Sequence, residues 1–174
     1  MKAMSIMFLV MLVSLVIASF WGKIPLIKDS VHAVLDPTAG NLIEWNIYIG
    51  MFLIVFVVNF LTTLVQKYGT DQESLRKIKK EQKEIQEEMK KFKDNPSKLM
   101  ELNKKQFENI PKTFEHAFKP LLYTAIPFIL LIRWFIDYFS SVEIKFFGFL
   151  SWFWFYLIFS IIFSSILRKV LNVV

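Results

Sequence analysis

Three long stretches of this chain carry no charged residue: Ala3–Trp21, Trp45–Gln66 and Phe146–Leu167, of 19, 22 and 22 residues. A bilayer core is crossed by about 20 apolar residues in a helix. In hydrocarbon only a helix or a closed barrel satisfies its own backbone hydrogen bonds. A chain of 174 residues has no soluble interior large enough to hide three such blocks. The expectation is an all-α integral membrane protein. Zero cysteines exclude a disulfide framework, thiolate zinc sites and cysteine nucleophiles.

A fourth block, Pro120–Phe139, is interrupted by Arg133 and Asp137, one helical turn apart, and also reads as a span. Trp21, Trp45, Tyr48, Trp134, Tyr138 and Trp152 mark the expected interfaces. Basic residues give the orientation. Lys67–Lys119 holds 14 Lys or Arg against 10 Asp or Glu, and Arg168 and Lys169 follow the last block. Gly22–Glu44 has two Lys against three acidic residues, and the turn Ser140–Lys145 has one of each sign. The hairpin segment and the C-terminus should therefore be cytoplasmic, in a multi-pass protein of the plasma membrane.

The chain divides into an N-terminal apolar anchor or signal (1–22), an outer interfacial amphipathic helix and loop (23–41), a first core span (42–67), a cytoplasmic hairpin (68–119), a second core span (120–139) and a third (146–169). The first block has two readings. Val16-Ile17-Ala18 would serve as a cleavage site, but the apolar core exceeds the roughly 7–15 residues of a signal. In Pro25–Asp36 the residues Leu26, Ile27, Val31, Val34 and Leu35 share one helical face, with Pro25 suited to a first turn. This predicts a short helix lying on the outer interface. Asp36-Pro37 and Gly40 should then break the chain.

Gly69 and a capping box, Thr70-x-x-Glu73, announce the next helix. Leu75, Ile78, Gln82, Ile85, Met89 and Phe92 recur at spacings of 3 and 4, a heptad seam. Asp94-Asn95-Pro96-Ser97 reads as a turn, with Asn95 capping the return helix. Leu99, Leu102, Gln106 and Ile110 continue the seam, pairing Phe92 with Leu99, Met89 with Leu102 and Ile85 with Gln106. The pattern predicts an antiparallel coiled coil, interrupted at Pro111 by a bend or hinge. Its outer face mixes Lys and Glu, and Asp71–Ile110 nets only +2, too mixed to argue RNA binding.

Polar residues inside the apolar blocks gather at one depth. Asn59, Thr62, Thr63 and Gln66 form a stripe at i, i+3, i+4 and i+7. Tyr123 and Thr124, beside Pro120 and Pro127, and Ser160, Ser164 and Ser165 lie in the same cytoplasmic half. Polar groups in hydrocarbon must face one another or water. Two readings stand side by side: interhelical glue, for which Ser160-x-x-x-Ser164 is a small-residue packing pattern, or a wet groove open to the cytoplasm. Arg133 belongs to the outer half. It either pairs with Asp137 at i+4 and snorkels outward, or turns inward as a groove charge. His32 and His116 lie far apart in this topology and give no metal site or catalytic triad; no phosphate-binding glycine loop is present. No enzymatic activity and no cofactor are implied.

The order of elements, with the arm Asp71–Ile110 and the stretch Lys119-Pro120-Leu121-Leu122-Tyr123-Thr124-Ala125-Ile126-Pro127, resembles the YidC-like membrane protein insertases. It looks most like their small archaeal branch, related to insertase subunits of the endoplasmic reticulum. The resemblance covers Pro25 to Lys169. It implies a protein that accepts hydrophobic segments of nascent or newly made proteins in a polar groove and passes them into the bilayer, without hydrolysing ATP. By position the groove would comprise Asn59, Thr62, Thr63, Gln66, Tyr123, Thr124, Ser160 and Ser164. The implied partners are nascent membrane proteins, a ribosome or targeting factor at the coiled coil, the bilayer itself and partner membrane subunits. Bacterial members carry an arginine in the groove on the first core span. Here that span has none, so Asn59 or Arg133 would have to substitute. Two rivals remain at this level: a membrane-anchored coiled-coil tether, in which the polar stripe is sealed, and a small ion channel subunit.

Overall fold

The computed structural model describes all residues except Met1, Asp94, Ser141 and Glu143, and the side chains of all described residues except 2–4, 7, 112–113 and 115–121. Asp94 of the expected hairpin turn therefore lies outside the described residues, as do Ser141 and Glu143 of the outer turn. The side chains of His116, Lys119, Pro120 and Leu121 do so too.

The described chain is 85% helix, with seven α-helices and no strand beyond an isolated bridge between Phe146 and Leu150. They are α1 (Lys2–Phe20), α2 (Pro25–Leu35), α3 (Asn41–Trp45), α4 (Ile47–Gly69), α5 (Gln72–Lys91), α6 (Pro96–Ser140) and α7 (Trp152–Val170). Among the described residues three helical segments are long and apolar enough to cross a membrane: Ile47–Gly69, Leu122–Ser140 and Trp152–Val170. Phe8–Phe20 passes that test only together with Pro25–Trp45, to which it is bent by 90°.

Local chemistry explains most of the boundaries. Pro25 opens α2, as its fixed φ and missing N–H allow at a first helical position. The break expected at Asp36-Pro37 is absent. The chain passes instead through a π-helical turn, Asp36–Gly40, directly into α3. Pro37 falls in the first turn of that segment, where no N–H is required of it. The true break is Asn46, in extended conformation (φ −158°, ψ 113°), whose side chain accepts hydrogen bonds from the amides of Tyr48 and Ile49 and so caps α4. Gly50 allows α3 to fold back onto α4. A Cβ there would lie 2.5 Å from the Leu42 carbonyl carbon and 2.7 Å from the Ile43 nitrogen.

The cap of α5 is Asp71, one residue later than the expected Thr70. Its carboxylate accepts from the amides of Glu73 and Ser74 and from the Ser74 hydroxyl, while Thr70 bonds back to the Gln66 carbonyl at the end of α4. Asn95 caps α6 through the amide of Lys98, and Pro96 is the first helical residue. The interruption expected at Pro111 does not occur: α6 runs unbroken for 45 residues through Pro111, Pro120 and Pro127. Each proline removes one backbone hydrogen bond, and the many remaining bonds of so long a helix carry the chain through.

α5 lies against the early part of α6, and Ile85 and Leu102 line the same depression between them. Leu102 is fully buried, whereas Leu75, Ile78, Gln82, Ile85, Met89, Leu99 and Gln106 are half-buried. Phe92 and Ile110, at the ends of the expected seam, are exposed. The membrane-spanning part is packed unevenly. Met51 and Val55 of α4, Trp134 and Phe135 of α6, Phe155 of α7 and Phe146 before it form a closed core. All belong to the half of the bundle next to α2 and α3. Edge-to-face contacts of Phe52 and Phe56 with Phe163 extend the α4–α7 packing beyond it.

Candidate functional site

In the other half α4 and α6 part company. A cavity of about 710 Å³ lies between them. One wall is Val58, Leu61, Thr62 and Val65 of α4; the facing wall includes Tyr123, Thr124, Pro127 and Leu131 of α6. On α6 the lining runs from Tyr123 to Leu131, about 12 Å of helix axis. Ser30, Val31, Val34 and Leu35 of α2 close one end. Tyr123, 65% exposed, stands at the other.

The lining is mostly hydrocarbon, interrupted by four hydroxyls: Ser30, Thr62, Tyr123 and Thr124. Ser30 and Thr62 donate to the carbonyls of Leu26 and Val58, one turn back on their own helices, at 2.6 and 2.7 Å. Their protons are thus satisfied without any partner in the cavity, and each oxygen keeps capacity to accept from an incoming N–H. The volume is of the order that takes a small ligand, about 300–1,000 Å³. It fits part of one face of a helix, not a whole span.

The eight residues that sequence reasoning grouped as a groove divide here into two sets. Thr62, Tyr123 and Thr124 come together at the cavity. Asn59 turns to α7, where its amide donates to the Ser160 hydroxyl at 3.1 Å and to its own Val55 carbonyl at 2.8 Å. Thr63 is buried, its hydroxyl bonded to the Asn59 carbonyl. Asn59 and Ser160 join α4 to α7, Thr63 bonds within α4, and none of the three lines the cavity. The reason lies in the stripe itself. Positions i and i+3 differ by 60° around a helix, enough for Asn59 and Thr62 to face different neighbours. Gln66 and Ser164 are half-buried and do not line the cavity either.

Arg133 takes neither of its expected places. Its guanidinium donates to the carbonyl of Ala18 near the C-terminus of α1, an end that favours cations. Asp137 pairs elsewhere. Its carboxylate accepts from the Trp21 indole at 2.8 Å, from Lys28 at 2.9 Å and faces the His32 ring at 3.3 Å. The other ring nitrogen of His32 lies 3.1 Å from Asp36, which in turn accepts from the Trp134 indole at 2.7 Å. This network and the α2 wall of the cavity were missed from sequence. The available signals were the amphipathic face of α2 and a histidine one turn before Asp36. No group of three metal-ligating side chains occurs among the described residues.

The family described as integral membrane protein EMC3/TMCO1-like matches residues 32–149. The match takes in only the last turn of α2, from His32 to Leu35, with all of α3 to α6 and the turn before α7, and so includes both walls of the cavity. No curated protein and no solved structure matches the chain.

Proposed function

As the chain belongs to the EMC3/TMCO1-like family of integral membrane proteins, part of the insertase-related superfamily of Oxa1, YidC and Alb3, we propose that it is a membrane protein insertase of the YidC-like, archaeal type. It takes hydrophobic segments of nascent or newly made proteins from the cytoplasm and releases them into the bilayer. The observation that carries this reading is the cavity between α4 and α6, which abuts a closed aromatic core on one side and ends at exposed Tyr123 on the other. In the orientation given by the 14 basic residues of Lys67–Lys119, Tyr123 faces the cytoplasm and the closed core faces outward. The protein sits in the plasma membrane with its C-terminus inside.

The physical mechanism is a shortened hydrocarbon path. An apolar client face finds apolar walls in the cavity, and the polar flank that must follow it meets the hydroxyls of Thr62, Tyr123 and Thr124 instead of lipid tails. No nucleotide, metal or cofactor enters this scheme. We read α5 and the early part of α6 as a cytoplasmic coiled coil around Leu102, offered to a ribosome or targeting factor.

A photo-crosslinking residue in place of Tyr123, with ribosome-bound nascent membrane protein in native-like vesicles, tests the proposal. Adducts with the nascent hydrophobic segment are expected. The sealed Asn59–Ser160 contact favours a second reading, a membrane tether displaying the helical arm. No adduct from position 123, with the arm still binding a partner, would make the tether the better account.

A further inference from the structure

The cavity has a roof, and the roof is attached by side chains of α2 more than by burial of its own surface. None of the residues of α2 is buried, and Leu26 and Val34 are 77% and 62% exposed. Yet Val31 and Leu35 of this helix close the outer end of the cavity. The polar contacts that hold it converge on α6. Lys28 reaches Asp137 at 2.9 Å, His32 reaches the same carboxylate at 3.3 Å, and Asp36 accepts from Trp134 at 2.7 Å. Trp21, in the turn before α2, donates to Asp137 at 2.8 Å and anchors the approach to the helix. Lys28, His32 and Asp36 recur at i, i+4 and i+8, so they share one face. Val31, Val34 and Leu35 occupy the adjoining face, towards the cavity.

We propose that Asp137 is the positioning residue of an outer seal: it pins α2 across the end of the cavity and keeps that space closed to the outer aqueous phase. This rests on the insertase reading for the side of the membrane on which the roof lies. A cavity that admits water or polar client flanks from the cytoplasm must be blocked beyond its midpoint, or it would conduct small solutes. The aromatic core blocks the interior of the bundle. The gap on the α4–α6 side is covered by α2, whose place depends on one carboxylate with three partners. Removing Asp137, or opposing it with a second negative charge at position 28, leaves the roof held by the Asp36–Trp134 contact and a few apolar side chains. Arg133 does not compensate, because it is engaged with Ala18 at the end of α1.

The native chain has no cysteine, so one introduced thiol reports alone. Leu131→Cys, in the cavity wall below the roof, is treated with a membrane-impermeant maleimide from either side, in right-side-out and inverted vesicles. With the roof intact, reaction is expected from the cytoplasmic side only. Lys28→Glu, at a side chain 41% exposed, and Asp137→Ala should each raise the rate of outer labelling about tenfold, the factor expected for loss of a charge-assisted contact. Asp137→Glu, which keeps a carboxylate to accept from Trp21 and Lys28 and to face His32, should leave outer labelling within about twofold of its starting rate. A general sensitivity of the fold to any change at this position would not separate the two substitutions in this way. Unchanged outer labelling in both Lys28→Glu and Asp137→Ala, or outer labelling as fast in Asp137→Glu as in Asp137→Ala, would overturn the seal. Absence of cytoplasmic labelling in the parent would count against the insertase reading, while the outer-side comparison would still decide the seal.

Discussion

The sharpest test of how α4 is used concerns Asn59. Its amide donates to Ser160 at 3.1 Å and to the Val55 carbonyl at 2.8 Å, with both side chains half-buried between α4 and α7. Asn59→Leu leaves no void, because leucine has the same branching and is the larger side chain, and it removes the cross-helix donor. Interhelical hydrogen bonds of this kind average about 0.6 kcal/mol in membranes, with an upper bound near 1.7. A double-mutant cycle of Asn59→Leu and Ser160→Ala should therefore give a coupling of about 1 kcal/mol, roughly a fivefold change in the unfolding equilibrium. Reversible unfolding in mixed micelles measures it, with crosslinking yield from position 123 followed in the same variants. Stability should fall and crosslinking to clients should stay within about twofold. A coupling inside about 0.3 kcal/mol of zero, the limit of additivity for independent sites, would refute the α4–α7 assignment. So would a collapse of crosslinking at unchanged stability, which would put Asn59 back among the client-contacting groups.

Three further outcomes follow from the packing. Gly50→Ala would press a methyl group against the backbone of Leu42 and Ile43, which cannot rotate away, and should lower stability in detergent by about 1–3 kcal/mol; an unchanged melting temperature would mean that α3 does not fold back on α4. Leu102→Ala, at the one fully buried side chain between α5 and α6 among the described residues, should destabilise that helix pair by about 2–5 kcal/mol, seen as faster amide exchange across α5, and unaltered exchange would show that the pair is not held there. Pro111→Ala should make α6 more stable by up to about 3 kcal/mol, since the helix is continuous at that position; lost client insertion in a stabilised variant would reinstate a hinge.

What the sequence made legible was whatever depends on short-range periodicity and free-energy terms of several kcal/mol. Uncharged runs placed α4 and α7 within a few residues, and Asn95-Pro96 marked the start of α6. The local penalty of proline at positions 37 and 111 is outweighed by the helix on either side, so neither ends a helical run. The polar stripe on α4 could be seen, but not its division. Which of Asn59 and Thr62 meets α7 and which meets the gap depends on where the neighbouring helices stand, and that is not encoded in i, i+3 spacing. Arg133 and Asp137 were paired because they are one turn apart. Their actual partners, Ala18, Trp21 and Lys28, come from more than 100 residues away.

The unbroken course of α6 has a mechanical corollary. Its 45 residues measure about 68 Å along the helix axis, of which about 39 Å precede Leu122 and about 28 Å follow from it. One continuous backbone thus carries Leu102, which packs against α5, then Tyr123 and Leu131 of the cavity wall, and then Asp137, which meets Lys28 of α2. The helical arm, the cavity and the contact with α2 are therefore not independent parts but successive turns of a single element.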